Sequence, residues 1–176
     1  MKNVNKGPRI IYFTSEDPQG YEFKARLKNV GMDFDLLRKS NFEMKARAEN
    51  FAEVIEPDSI NIIDFLEIYK DFYLMGEILR NIFARLNKGI AVIAIQKDKN
   101  KDYGRGGVMV MEKPRLVVSL KSDFPYGQKA VIEKAKMFKG EKNPYNQRRN
   151  YHIVNGIDIV PTGEWNDGEE DSKKVA

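Results

Sequence analysis

The chain has 176 residues, 41% of them hydrophobic, enough for one compact domain with a buried core. It has no cysteine and a single histidine, His152, so disulfides and thiolate metal sites are excluded, and a lone imidazole argues against His-based zinc sites and Ser-His-Asp catalysis. The formal net charge is +4, with Lys and Arg crowded into 97–105 and 129–149 and acid gathered in 164–171. Such basic stretches suit polyanions, nucleic acid or nucleotide phosphates; ordinary solvated lysines are the alternative.

In chain order, residues 10–15 (IIYFTS) form a short apolar run bounded by Gly7-Pro8 and Glu16-Asp17-Pro18, which predicts a buried strand. Phe23, Leu27 and Val30 then recur at helical spacing over 21–30, and Gly31 is a natural stop. Residues 33–50 are polar with scattered aromatics, which predicts loop and a weak helix. A second strand, 60–66, follows Pro57-Asp58. The clearest helix spans 71–87, where Phe72, Met75, Leu79, Ile82, Phe83 and Leu86 form a stripe best read as core packing. Residues 90–95 are uniformly apolar, as a strand covered on both faces would be. That run is too short to span a bilayer, and the first residues lack a signal-peptide core, so a cytoplasmic protein with no membrane partner is expected.

Residues 97–107 (KDKNKDYGRGG) are charged and glycine-rich, and predict a flexible loop. Residues 108–112 and 115–121 flank Lys113-Pro114 and predict an antiparallel pair. Residues 129–138 read equally as strand or helix. Asn155-Gly156 between two alternating arms predicts a hairpin over 151–160, in which His152 is an ordinary strand residue. The expected organisation is one domain, 1–163, and an acidic, disordered tail, 164–176. Strand–helix–strand–helix–strand followed by antiparallel strands is α/β with a mixed sheet: a parallel core carrying the C-terminal strands on one edge.

Ligands of parallel α/β sheets bind at the carboxyl ends of the strands. Glu16 follows the first predicted strand, Asp64 lies in the second and Gln96 follows the third. A carboxylate there can hold a divalent cation, a second can polarise water, and an amide can sense a terminal phosphate. Glu67 stands three residues beyond Asp64, as an orienting or merely solvated group. Arg105, between glycines, suits a phosphate backbone, and Tyr103 can stack on a base.

Together, YFTSE, IIDFLEI and IAVIAIQKD with its basic loop resemble the RecA-like ATPase core of replicative (DnaB-like) helicases and phage helicase-like proteins. The resemblance runs through EKPRLVVSL and KAVIEKAKMF to the hairpin. It implies Asp64 as the Walker B carboxylate binding Mg²⁺ with ATP, Glu16 as the catalytic glutamate and Gln96 as the sensor that opens a DNA-contacting loop. That loop carries Lys97, Lys99, Lys101, Tyr103 and Arg105, and single-stranded DNA is its implied partner. It also implies that 129–138 is a strand from which Lys134 and Lys136 reach a neighbouring subunit's nucleotide in a homo-oligomer. Lysine lacks the bidentate fork of the arginine usual at the second of these positions. The family's phosphate loop, G-x-x-x-x-G-K-[ST], is absent from these 176 residues. The resemblance therefore implies an N-terminally incomplete RecA-like domain, unable to hydrolyse ATP without a partner segment bearing that loop. The alternative is a non-enzymatic nucleic-acid-binding accessory protein on a degenerate RecA-like fold.

Overall fold

The computed structural model describes residues 7–168 apart from 69, 99, 100, 102 and 124–126. The chain divides into two units, Met1–Lys113 and Pro114–Ala176. The first is a parallel sheet with helices: β1 (Ile10–Thr14), α1 (Tyr21–Asn29), α2 (Phe34–Arg38), β2 (Phe42–Ala46), β3 (Ile60–Asp64), α3 (Met75–Arg85) and β4 (Ile90–Ile93). Its strand order is β2-β1-β3-β4, all parallel, with Thr14 opposite Asp64 and Ile63 opposite Ile93.

Strand alternation sorts the side chains into two faces. Ile11, Phe13 and Ile63 point to one face and pack with Phe51, Met75, Leu79 and Ile82. The α3 stripe accordingly buries Met75, Leu79 and Ile82, while Phe72 and Phe83 stay exposed. On the opposite face, Ile10, Tyr12 and Met44 pack with Leu27, Leu37 and Phe42 beneath α1 and α2. The β1-to-β2 connection crosses one face in one direction, and the β3-to-β4 connection crosses the other face in the reverse direction. Both therefore share one hand, the right-handed one that parallel crossovers adopt.

Helix ends follow local chemistry. Asp17 caps α1, its carboxylate accepting from the Tyr21 N–H at 2.9 Å and the Phe23 N–H at 2.9 Å. Gly31, at φ 69°, ends that helix as predicted. Asp33 caps α2 by accepting from the Asp35 N–H at 2.8 Å. No helix among the described residues is long and apolar enough to cross a membrane.

The second unit is an antiparallel sheet in the order β5-β6-β7-β8, from β5 (Leu116–Asp123), β6 (Gly127–Ala135), β7 (Arg148–Val154) and β8 (Asp158–Asn166). Asn155 and Gly156 both take positive φ, 53° and 74°, and make the predicted β7–β8 turn. Residues left open between strand and helix at 129–138 are strand through Ala135.

Several expectations are corrected. The parallel and antiparallel strands form two separate sheets, not one sheet with a shared edge. Residues 33–50 contain a strand, β2, as well as a short helix. Residues 107–111 form a 3-10 helix whose Val110 is buried in the first unit's core, so β5 pairs with β6 instead. Residues 164–166 end β8, where Asn166 lies opposite Arg148, and are not part of a disordered tail; residues 169–176 lie outside the described residues. Finally, β4 is not covered on both faces. It is an edge strand, with Ile90 52% and Val92 53% exposed, because no described helix lies over the face that carries them, while α3 covers the other face.

Candidate functional site: the carboxyl rim of the parallel sheet

The three polar groups singled out in sequence lie at or beyond the carboxyl ends of three adjacent parallel strands. Backbone hydrogen bonds sew this rim together beyond the strands. The Ser15 N–H donates to the Asp64 carbonyl at 3.3 Å, the Ala94 N–H to Ile63 at 3.0 Å, and the Leu66 N–H to Ala94 at 2.9 Å. Asp64 is the last residue of β3, but Glu16 and Gln96 lie past their strands, which end at Thr14 and Ile93. Glu16 is exposed in the turn after β1. That turn is held by the Asp17 N–H donating to Thr14 Oγ1 at 3.1 Å.

Asp64 has a partner that sequence reasoning missed. The Tyr12 hydroxyl donates to Asp64 Oδ2. The Tyr12 ring stacks on Phe23 at 5.1 Å and lies 6.4 Å from Phe42, so apolar packing fixes the phenol's aim. Burial first, then the hydrogen bond to Asp64 and its charge, push the Tyr12 phenol well above its usual 10. The available signal was a tyrosine at an alternating position of an otherwise apolar strand. Ser15 Oγ is buried at the same rim without a hydrogen-bond partner among the described residues.

The basic loop is more ordered at its neck than predicted. The Arg105 N–H donates to the Gln96 carbonyl at 2.8 Å, which closes the loop directly behind the proposed sensor. Lys97 Nζ donates to the Lys101 carbonyl at 2.8 Å, and Arg105 pairs with Asp98 at 3.8 Å. Tyr103 is exposed, and Lys99 lies outside the described residues. Two of the loop glycines serve packing rather than approach to a phosphate. A Cβ on Gly104 would meet Ile95 at 2.8 Å, and one on Gly106 would meet Met75 at 2.7 Å.

Glu67 lines a groove of about 810 Å³ with Glu49, Glu53, Lys70 and Arg85. Lys134 lies in β6 and Lys136 just past its end, where the Lys136 N–H donates to the Arg115 carbonyl at 2.8 Å. Both belong to the second unit.

No cluster of three His, Cys, Asp or Glu among the described residues can hold a metal by itself. A lone carboxylate at a strand end does suit Mg²⁺, which keeps several waters and is held by one or two carboxylates together with substrate phosphates. The donor set fits a cation brought in with a nucleotide, not a free-standing protein cage.

No protein-family model matches this chain, and no curated protein sequence does. Among solved structures it resembles a KaiC-like protein from the hyperthermophilic archaeon Pyrococcus horikoshii OT3. The TM-score is 0.60 at 15% identity, over 89% of this chain and 76% of that one. The likeness is one of fold: a RecA-like arrangement with four parallel strands and an antiparallel sheet.

Proposed function

We propose that this chain is the cation-holding and phosphate-sensing portion of a RecA-like ATPase-type domain, completed by a strand and helix that carry a phosphate loop. One observation carries the reading. Among the described residues β4 pairs only with β3, and no helix covers the adjoining face up to Asp64, where Ile60 and Ile62 are half-buried and Ile90 and Val92 mostly exposed. A strand added parallel to β4 and returning toward β1 by a right-handed crossover sets its helix on that face. The helix then starts at the rim, beside Asp64. Helix N-termini preceded by glycine-rich loops are phosphate sites.

In the completed site Asp64 would hold Mg²⁺, Glu16 would polarise water, and Gln96 would contact the terminal phosphate of ATP. A cation held there by Asp64 would neutralise charge on the nucleotide's phosphates. The Gln96–Arg105 bond links the sensor to loop 97–107, where Lys97, Lys101, Tyr103 and Arg105 would meet single-stranded DNA, in replication or recombination. Lys134 and Lys136 would act as point charges toward a neighbouring subunit's nucleotide in a homo-oligomer.

The test is to fuse a strand–helix segment bearing G-x-x-x-x-G-K-[ST] ahead of Met1, or supply it as a separate peptide, and measure Mg–ATP binding calorimetrically. Binding should appear with the segment and disappear in Asp64→Asn. Absence of binding in both formats overturns the reading.

A further inference from the structure

We propose that the β6–β7 loop, residues 136–147, is a contact for single-stranded nucleic acid. Phe138 and Tyr145 stack on bases, and Lys139 and Arg149 meet phosphates. The loop lies wholly in the second unit and stands independently of the phosphate-loop reading of the first.

The loop shows apolar surface that its own unit does not use. Met137 is 75% exposed, Tyr145 61% and Phe138 43%, while the buried hydrophobic residues of that sheet are Val131 and Ile132. The backbone beneath these side chains is tied down at both limbs. The Lys136 N–H donates to the Arg115 carbonyl at 2.8 Å, and the Asn146 N–H to the Ile132 carbonyl at 2.8 Å. Within the second limb the Tyr145 N–H donates to Asn143 Oδ1 at 3.0 Å and the Gln147 N–H to the Pro144 carbonyl at 3.1 Å. The Arg115 guanidinium donates to Met137 Sδ at 3.0 Å. Rings carried on a backbone already fixed lose little freedom when they bind.

Charge names the partner. Residues 136–149 carry five cations, Lys136, Lys139, Lys142, Arg148 and Arg149, against one carboxylate, Glu141. Lys142 pairs with Asp167, and Arg149 donates through Nε to the Gly163 carbonyl at 3.0 Å, which leaves its terminal nitrogens for an anion. A polyanion fits that balance. Unpaired bases supply the flat faces that a phenyl and a phenol ring take up, whereas the bases of a duplex already stack on one another. A bilayer is the poorer match. The two rings stand on separate limbs, and the segment between them, 140–143, is polar and carries Glu141.

The experiment uses the full chain and the fluorescence anisotropy of labelled oligothymidylate and oligouridylate of about 20 nucleotides, beside a duplex of equal length. Sedimentation with phosphatidylserine vesicles runs in parallel. Wild type should bind a single strand about tenfold more tightly than the duplex. Phe138→Ala and Tyr145→Ala should each weaken that binding about tenfold and melt like wild type, since both side chains are exposed. Phe138→Leu keeps the apolar bulk without a flat ring and should lose as much as alanine. Tyr145→Phe keeps the ring and should keep the affinity. These two exchanges carry the test if an alanine variant melts early. Lys139→Gln should reduce the slope of log affinity against log salt by about 0.7.

Absence of single-strand binding at low salt overturns the proposal. So does binding to vesicles that falls in Tyr145→Ala while binding to the strand does not. Binding lost in a Lys97→Gln, Lys101→Gln, Arg105→Gln variant but kept in Phe138→Ala and Tyr145→Ala also overturns it, and leaves loop 97–107 as the nucleic-acid contact. Binding lost in the ring variants and kept in that triple variant supports the β6–β7 loop and counts against DNA contact at 97–107.

Discussion

One face of the parallel sheet has two halves that began with similar residues and ended differently. Over β1 and β2, helices α1 and α2 bury Leu27, Leu37 and Phe42 to 4%, 3% and 7% exposure. Over β3 and β4, Ile60 and Ile62 are half-buried and Ile90 and Val92 mostly exposed. On the strands themselves the contrast is between Phe42, buried beneath the helices, and Ile90 and Val92, which lie open on the same face. Crossover direction accounts for the difference. The β1-to-β2 connection must cross this face and the β3-to-β4 connection must cross the other, so nothing in these residues is routed over the second half. An apolar half without a covering helix, beside an edge unpaired among the described residues, is a place to receive an element, and the rim carboxylate stands at its end.

Truncating one side chain in each half puts the contrast to its hardest test. Phe42→Ala should cost about 3–5 kcal/mol, because it opens a cavity under a closed aromatic stack. Val92→Ala should change stability by less than about 0.5 kcal/mol, as an exposed position does. Chemical denaturation of the two variants measures both, and equal losses would mean the halves are alike.

A smaller effect is expected at Asn61, which ties β3 to the start of β4. Its Oδ1 accepts from the Glu56 N–H at 3.0 Å, and its Nδ2 donates to the carbonyls of Glu56 at 2.9 Å, Ser59 at 3.2 Å and Ile90 at 3.3 Å. Asn61→Leu strands those buried backbone groups and should cost about 2–3 kcal/mol. Amide hydrogen exchange should show faster opening at β4 than at β1, since β1 is paired on both sides and β4, among the described residues, on one alone.

The smallest effect is a pH dependence at the boundary between the halves. The Tyr12 phenol is raised above 10 in the folded chain, so the folded state holds that proton more tightly than the unfolded one. This contribution is fully present below about pH 10 and is lost as pH rises from there through the folded value. Thermal melts between pH 8 and about 11 should fall less steeply in Tyr12→Phe than in wild type.

Legibility in the sequence followed the strength of local patterns. β1, α1, β3, the core stripe of α3 and the Asn155-Gly156 turn each carry a periodicity or a turn chemistry that acts over a few residues. β2 was missed although Phe42, Met44 and Ala46 alternate with Glu43 and Lys45, because the run is only five residues long in a polar stretch; Glu43 pairs with Arg9 and with Lys45 on the sheet edge. Residues 107–111 look strand-like, yet Val110 is needed as a plug against the core, and the chain coils to deliver it. At the site, strand order sets the ends of β1, β3 and β4 side by side, with Asp64 closing β3 and Glu16 and Gln96 in the segments that follow β1 and β4, while Glu67 lines a groove. Tyr12 showed in sequence only as a hydroxyl in an apolar strand, because its partner lies 52 residues away.

Local patterning was enough to set the strands and helices where it is strong, the parallel core followed by antiparallel strands, and the rim on which three polar groups fall. These are short-range properties, fixed by side-chain period and by the rule that parallel strands end together. Long-range packing settled the rest: that β4 is an edge, that half of one face lacks a covering helix among the described residues, that the two sets of strands form separate sheets, and that a phenol occupies one oxygen of Asp64. Each of these depends on which distant strand lies alongside and which face a crossover takes, and no local pattern encodes that choice.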